Sequence, residues 1–543
     1  MREETIATPM VKAPQDAVRS AIAALVAGLV CLAASAGAYA QAPGAPQPVE
    51  PPLAPLAGPS APAAGAPAPD EPLAPLPPGT PLAPPAPVQG EALNPLDLFS
   101  AGHDEGLGAD LWRGASAALA QAVIPTLGDH PLSPAGAALA RRVLAQSASA
   151  PEGAGSDVDL AAARARALLA LGDAPTAELI LDHTAGLANS AALSQTAVEA
   201  ALIDGEDDKA CAIGEGLGSG RDGAYWLRLR AYCEARAGKP AAQLTMNLAE
   251  EADHDPAFAR MLPVIIAGGG DPGPASLRDG LDYAMSRRLQ LDLTPAAIAA
   301  APPAIARRLA ANTAGLGAAP PAPAATSEPD ILAGLRKAKG AQAYLAAARL
   351  ALPAIAQLVQ AKTALANPVQ LAAAALAAGD LQAAQAIRLD LAAAPATAVD
   401  PADLAILDAA LALAAGRADP PTLDRLIERG ARNDDAAPRA QAAAALAFAL
   451  GWPADGDARA QFSGFALGHA RASPATMLLL DTAADGGVRG DVALLALSAA
   501  EDGGAAGPEI ADRVALVRAL ARSGLKADAQ GFALEGLIGL EPH

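Results

Sequence analysis

Three glycines, Gly172, Gly205 and Gly238, follow one another at an interval of 33 residues. The segments around them align: Leu171-Gly172-Asp173, Asp204-Gly205-Glu206 and Ala237-Gly238-Lys239. Each glycine follows one apolar helical run and opens another. An apolar residue stands eight places on, at Ile180, Ile213 and Met246. A period in the thirties built from helix, glycine turn and helix predicts stacked helical hairpins. This constrains architecture. It names no reaction.

The ladder resumes nearer the C-terminus at Gly379, Gly416, Gly451, Gly486 and Gly524, with spacings of 37, 35, 35 and 38. Leu376-Ala377-Ala378-Gly379-Asp380 and Leu520-Ala521-Arg522-Ser523-Gly524 repeat the earlier pattern. Between the two series lies a Pro/Ala stretch from Leu316 to Pro329, which reads as a linker. Period-two strand signals are scarce throughout. The expected class is therefore all-α: an α-solenoid of stacked helical hairpins in two blocks, residues 93–315 and 330–543, joined by the linker 316–329. Within the first block, Ala109 to Ser116 is expected to open a helix running to about Val123. Ser133-Pro134 reads as an N-cap with proline at the first helical position, and Asp157 as another cap. The helix after Gly524, with Phe532, Leu534, Leu537 and Ile538 on one face, is expected to cap the stack.

The turn Leu-x-x-Gly-Asp with alanine at the fifth place after the glycine (Ala177, Ala210, Ala384, Ala529) resembles the tetratricopeptide family and its degenerate relatives over most of residues 157–252 and 365–540. The usual Trp and Tyr of the first helix are mostly alanine or leucine here, and the period drifts above 34. The resemblance implies a superhelix with a concave partner-binding face and no catalysis. A weaker likeness is to the helical superhelix of periplasmic lytic transglycosylases, whose catalytic Glu-Ser dipeptide does not occur in this sequence. The layout is also similar to that of proline-rich, membrane-anchored flagellar-positioning proteins.

Hydrophobic residues make up 52% of the 543, but aromatics only 3%, so alanine carries the apolar count. Alanine favours helix and close helix approach, yet buries little area per residue. The cores should therefore be thin. The formal net charge is −20, which argues against nucleic acid or an anionic membrane as a bulk-charge partner.

The N-terminus has the layout of an export signal. Arg2, Lys12 and Arg19 form a basic region diluted by Glu3, Glu4 and Asp16. Ala21 to Ala34 is apolar and uncharged, and Ala38-Tyr39-Ala40 is a small-x-small cleavage signature before Gln41. Residues 1–40 are thus a signal peptide or, uncleaved, a membrane anchor, since 21–40 is just long enough to span a bilayer. The residues before Cys31 fit a lipoprotein signal poorly. Both readings place the remainder outside the cytoplasm, and the Ala/Gly/Pro/Arg bias of a GC-rich bacterium makes that the periplasm.

Residues 41–92 form a proline-rich linker expected to be disordered, with 18 of the 49 prolines between Pro43 and Pro87. Pro-Leu-Ala-Pro occurs at Pro52–Pro55, Pro72–Pro75 and Pro81–Pro84. Proline removes backbone donors and restricts its neighbour, so an extended polyproline II chain is expected. It reads as a tether; the alternative is a ligand strip for an aromatic groove.

Two cysteines, Cys211 and Cys233, fall on consecutive helices around the glycine-rich turn Gly216 to Gly223. In an oxidising compartment such a pair reads as a disulfide. Cys233 lies about five residues further from the turn than Cys211, an offset of some 7 Å along a helix, so free thiols remain the alternative. Tyr225, Trp226, Leu229 and Tyr232 share one helical face and read as core.

No constellation in the sequence carries catalysis, a cofactor or a metal. The six histidines (His103, His130, His183, His254, His469, His543) stand alone. Gly268–Gly270 lacks the lysine of a phosphate loop, and Ser219 lacks the setting of a nucleophile elbow. Glu206-Asp207-Asp208 sits at a helix start, where carboxylates complement the macrodipole. The expected function is a non-enzymatic periplasmic scaffold that binds a protein or peptide on the solenoid surface. The alternatives are a peptidoglycan-associated or hydrolase-assisting protein, and a membrane-anchored organiser of a polar or flagellar envelope structure.

Overall fold

Most glycines of the ladder stand where a helix ends and the chain turns back. In the computed structural model, which describes residues 97–315, 327–393, 399–432 and 434–540, Gly172, Gly205, Gly238, Gly379, Gly416, Gly451 and Gly524 all have φ between +65° and +91°. That left-handed backbone disfavours a side chain by about 1–2 kcal/mol. The amide after each glycine donates to the carbonyl five residues back, as from Asp173 to Leu168 at 2.8 Å and from Leu525 to Leu520 at 2.9 Å. These bonds satisfy carbonyls that the helix end would leave open. Gly486 departs from the expected series. Its φ is −75°, and the left-handed residue is Gly487 at +68°. Two further turns of the same kind use no glycine: Gln290 and Lys362 have φ of 54° and 50°.

The helices are, in order, α1 (Ala117–Val123), α2 (Pro134–Ala145), α3 (Val158–Ala170), α4 (Ala174–Asp182), α5 (Ala191–Asp204), α6 (Asp207–Gly216), α7 (Ala224–Arg236), α8 (Ala242–Ala252), α9 (Pro256–Ala267), α10 (Gly280–Arg288), α11 (Pro295–Ala300), α12 (Pro303–Gly315), α13 (Glu328–Lys337), α14 (Ala341–Gln360), α15 (Pro368–Ala378), α16 (Leu381–Ala392), α17 (Pro401–Ala414), α18 (Pro420–Gly430), α19 (Ala437–Ala449), α20 (Gly456–Phe462), α21 (Pro474–Asp485), α22 (Arg489–Gly503), α23 (Ile510–Arg522) and α24 (Lys526–Gly539). The described residues contain no strand, only an isolated bridge between His103 and Gln146. The class is all-α. The expected signal, the proline-rich linker and residues 316–326 of the second linker lie outside the described residues.

Capping residues explain many of the starts. The side chains of Ser116, Ser133, Asp157, Asp173 and Asp380 each accept a backbone N–H of the first turn. Ser116 also corrects the first expected helix. Residues 109–114 are turns, Gly114 has φ +73°, and α1 begins only after the serine. Consecutive helices pack as pairs, among them α3 with α4, α5 with α6, α7 with α8, α15 with α16, and α23 with α24. At these pairings Ala177, Ala210, Ala384 and Ala529, each five places after its glycine, are fully buried. A methyl group there lets the two backbones approach closely.

The two expected blocks do not pack separately. Pro95–His543 forms one compact unit, and one apolar core runs from Phe99 to Ile538. The division in the core falls instead within the first block, where Val198, Trp226, Tyr232, Phe258 and Met285 form a cluster of their own. Nor does the last helix cap a stack. α24 packs against α2, α15, α17, α19 and α23, and buries Asp528, Ala529, Phe532, Ala533, Gly536, Leu537 and Ile538. The physical reason lies in the alanine content. A single layer of alanine-rich hairpins would remove little apolar area from water. Folding the two ends of the described chain together buries helices such as α17, α19 and α22 on nearly every face, which is the place for a helix apolar all round.

Arg164 anchors the start of the described chain. It is fully buried and donates to the carbonyls of Leu144 (2.6 Å), Phe99 (3.2 Å), Ala101 (2.9 Å) and Gln146 (3.0 Å). Its guanidinium lies 5.0 Å from the Phe99 ring centroid. Burial lowers its pKa to about 10, so it stays charged at neutral pH.

Candidate functional site

A large concavity forms among the described residues where four distant segments converge. The start of α2 gives one wall, the α13–α14 connection a second, residues 506–510 a third, and the C-terminal half of α24 the floor. The groove has a volume of about 710 Å³, within the range of sites that take a small molecule or a few peptide residues. Its lining is mostly apolar, including Pro134, Leu345, Leu376, Ile510, Leu534 and Ile538.

Local sequence builds each wall. Ser133 caps α2 by accepting from Gly136 N–H, which fixes Pro134 and Ala135 at the edge. Gly507 has φ +83°, and a Cβ there would fall 2.5 Å from Arg513 Nη2 and 2.8 Å from Glu535 Oε1. Only glycine fits. Gly340 precedes α14 with φ +83°, and a Cβ there would sit 3.4 Å from the carbonyl oxygen of Ala505. Gly340 supplies no side-chain cap, so the first amides of α14 have none.

The floor carries a buried ion pair. Arg513 Nη1 donates to Glu535 Oε1 at 2.7 Å and to the Phe532 carbonyl at 3.1 Å. The other carboxylate oxygen of Glu535 accepts from Ala135 N–H at 2.7 Å. The two side chains are 6% and 10% exposed. Their hydrogen bonds tie α23, α24 and α2 together and cancel the charge. Gln342 Nε2, donating to the Leu132 carbonyl at 3.0 Å, ties α14 to the same junction. At the rim Glu509 pairs with Arg471 at 3.2 Å. Arg336 and Lys339 are exposed and lack a hydrogen-bond or ion-pair partner among the described residues.

No family model, curated protein or solved structure matches this chain.

Cys211 and Cys233 are joined by a disulfide with Cα atoms 5.8 Å apart. The bond links α6 to α7 and borders a smaller pocket of about 350 Å³, which Glu215, Arg221, Trp226, Arg230, Glu234 and Lys239 also line. The aromatic face read as core is buried at Trp226 and Tyr232, while Tyr225 is half-buried. Among the histidines, His254 is exposed with Nδ1 2.5 Å from Glu250 Oε2, and His183 Nδ1 lies 2.8 Å from the Leu179 carbonyl. His543 lies outside the described residues. Among the described residues no group of three or more His, Cys, Asp or Glu side chains is placed to hold a metal ion.

A buried acidic cluster was not anticipated. Glu199 Oε1 accepts from the Tyr225 hydroxyl at 2.6 Å, and Oε2 accepts from Gly280 N–H at 2.5 Å. A Cβ at Gly280 would meet that oxygen at 2.8 Å. Burial, then the charge of Asp279, pushes Glu199 up to about 7. Glu199 lines neither of these two concavities.

The groove too escaped sequence reasoning, because its walls are far apart in the chain. One local signal was present: Arg336, Lys337 and Lys339 are three cations within four residues of an otherwise acidic protein.

Proposed function

We propose that this chain is a non-enzymatic scaffold of the bacterial cell envelope, exported to the periplasm, that binds a protein or peptide segment in the groove between α2, α13–α14 and α24. It is proposed to be a degenerate tetratricopeptide-like α-solenoid whose hairpins are folded back on one another. The observation that carries the reading is the groove itself: an apolar trough of about 710 Å³ with an internally neutralised floor and uncapped backbone amides at one edge. Backbone donors and apolar walls together suit an extended peptide. The repeated left-handed turns and the buried fifth-place alanines support the solenoid reading of the helical pairs.

A photo-crosslinking amino acid tests this. Placed at Tyr344 in the groove of the exported protein, it should give a discrete set of protein adducts. Placed at exposed Leu478 on α21, it should not. Equal adduct patterns at the two positions would sink the groove as the binding site. Intact-mass measurement of the native protein tests the export arm, with a chain beginning at Gln41 expected.

A further inference from the structure

The groove's charges can be sorted by whether they are already paired. Arg513 is neutralised by Glu535, and Glu509 by Arg471. What remains is Arg336 and Lys339 at the rim, with Lys337 beside them. The chain as a whole carries −20. An anionic ligand is therefore disfavoured by the net field and attracted at this edge of the groove, which also holds the uncapped amides of α14. Cationic ligands meet the reverse: the general field draws them, and the rim rejects them. Unpaired charge of one sign beside a desolvated apolar trough gives orientation and selectivity together.

From this the geometry points to a ligand class: a short extended peptide segment of apolar side chains ending in, or followed by, carboxylates. This deepens and rests on the proposed peptide-binding role. The apolar residues lie along Leu345, Leu376, Leu534 and Ile538, and the carboxylates meet Arg336, Lys339 and the first amides of α14. An acyl anion shares the same two features. It has no backbone carbonyls to accept from the uncapped first amides of α14 beside its one carboxylate, so the peptide is favoured.

The test uses the purified full-length chain and three dansylated hexapeptides, LALLDE, LALLNQ and LALLKK, with laurate as competitor. LALLDE should bind about tenfold or more tighter than LALLNQ, LALLKK should not bind, and the LALLDE affinity should fall as salt rises. The exposed double reversal R336E/K339E should bring LALLDE down to the level of LALLNQ or below, with an unchanged circular dichroism spectrum. A377W, which fills the wall, should weaken both. Equal binding of LALLDE and LALLNQ, or an unaltered preference in R336E/K339E, overturns the acidic class while leaving a peptide groove standing. Full displacement of LALLDE by laurate at lower concentration than by unlabelled peptide overturns the peptide in favour of an acyl anion. No binding by any of the three peptides overturns both this inference and the function it rests on.

Discussion

Arg142 on α2 donates from Nη1 to both carboxylate oxygens of Asp528 on α24, at 2.7 and 2.6 Å, across a sequence separation of 386 residues. The Asp528 side chain is only 4% exposed, and burial raises its pKa even against the pull of Arg142. This pair, with Arg513–Glu535 one helix away, joins the first and last parts of the described chain.

Removing the cation should therefore be costly. Arg142→Ala leaves a buried carboxylate without its partner, and a loss of about 3 kcal/mol is expected, read as a lower urea midpoint. A group whose folded pKa is raised contributes stability at low pH and loses it as pH rises. The deficit of Arg142→Ala should thus be larger at pH 8 than at pH 5. The apolar double variant Arg142→Met/Asp528→Leu should recover most of the loss, less the bond from Arg142 Nη2 to the Glu105 carbonyl. A single variant as stable as the parent would show that the pair holds nothing together.

What could be read from the sequence was local. The glycine turns, the buried Ala177, Ala210, Ala384 and Ala529, and the caps at Ser133 and Asp157 are each set by a few neighbouring residues. Closure was not legible. Nothing near Arg142 points to Asp528, and nothing near Ser116 announces that its amide donates to Asp491 Oδ1, 375 positions on. Yet α17 and α22 carried a hint: they are apolar on every side, as one-sided hairpin helices would not be. The groove was hidden for the same reason, since its walls come from four separate places.

The ladder's register can be tested at Gly486 and Gly487. Only Gly487 is left-handed, whereas a Cβ at Gly486 would meet nothing closer than the Thr482 carbonyl oxygen at 3.4 Å. Gly487→Ala should destabilise by about 1–2 kcal/mol, and Gly486→Ala should be neutral or slightly stabilising. Thermal denaturation of the two variants checks this, and the reverse order would return the turn to Gly486.

α24 offers a similar contrast within one helix. A Cβ at Gly536 would lie 2.7 Å from Arg513 Cδ and 2.8 Å from Leu446 Cδ1, while one at Gly531 would meet nothing within 4 Å. Gly536→Ala should cost about 1–3 kcal/mol by overpacking. Gly531→Ala should stabilise by up to about 1 kcal/mol through helix propensity. Similar melting temperatures for the two would show that α24 is not closely packed on Arg513 and Leu446 at Gly536.

Reduction should loosen α6 and α7 without dismantling the rest. The Cys211–Cys233 bond spans a separation of 22 residues, and closing a loop of that size is worth roughly 3 kcal/mol. Its helices belong to the separate cluster around Tyr232 and Phe258. Hydrogen exchange after reduction and alkylation should quicken across residues 207–236 and stay nearly unchanged in α17 and α22. Uniform quickening would mean that the two cores melt as one.

Glu199 makes the fold's stability depend on pH near neutrality. Its folded pKa of about 7 stands above the ordinary 4.5. The folded protein therefore holds a proton that the unfolded chain releases between those values. Stability from this group is fully present below about 4.5 and is lost as pH rises through 7. Glu501 behaves alike: burial raises it to about 7 as well, against a hydrogen bond from Thr126. Carboxylates such as Asp157 and Asp255 have lowered values, so their contributions fade only at more acid pH. Between pH 5.5 and 8 the melting temperature should therefore fall. Glu199→Gln imitates the protonated form: its amide oxygen can accept from Gly280 N–H, and its amino group can donate to the Tyr225 hydroxyl oxygen. The variant should lose part of that slope and gain stability at pH 8 relative to the parent, while matching it near pH 5. A parent curve that is flat or rising over this window, or a variant parallel to the parent, would show that Glu199 is already ionised in the folded protein.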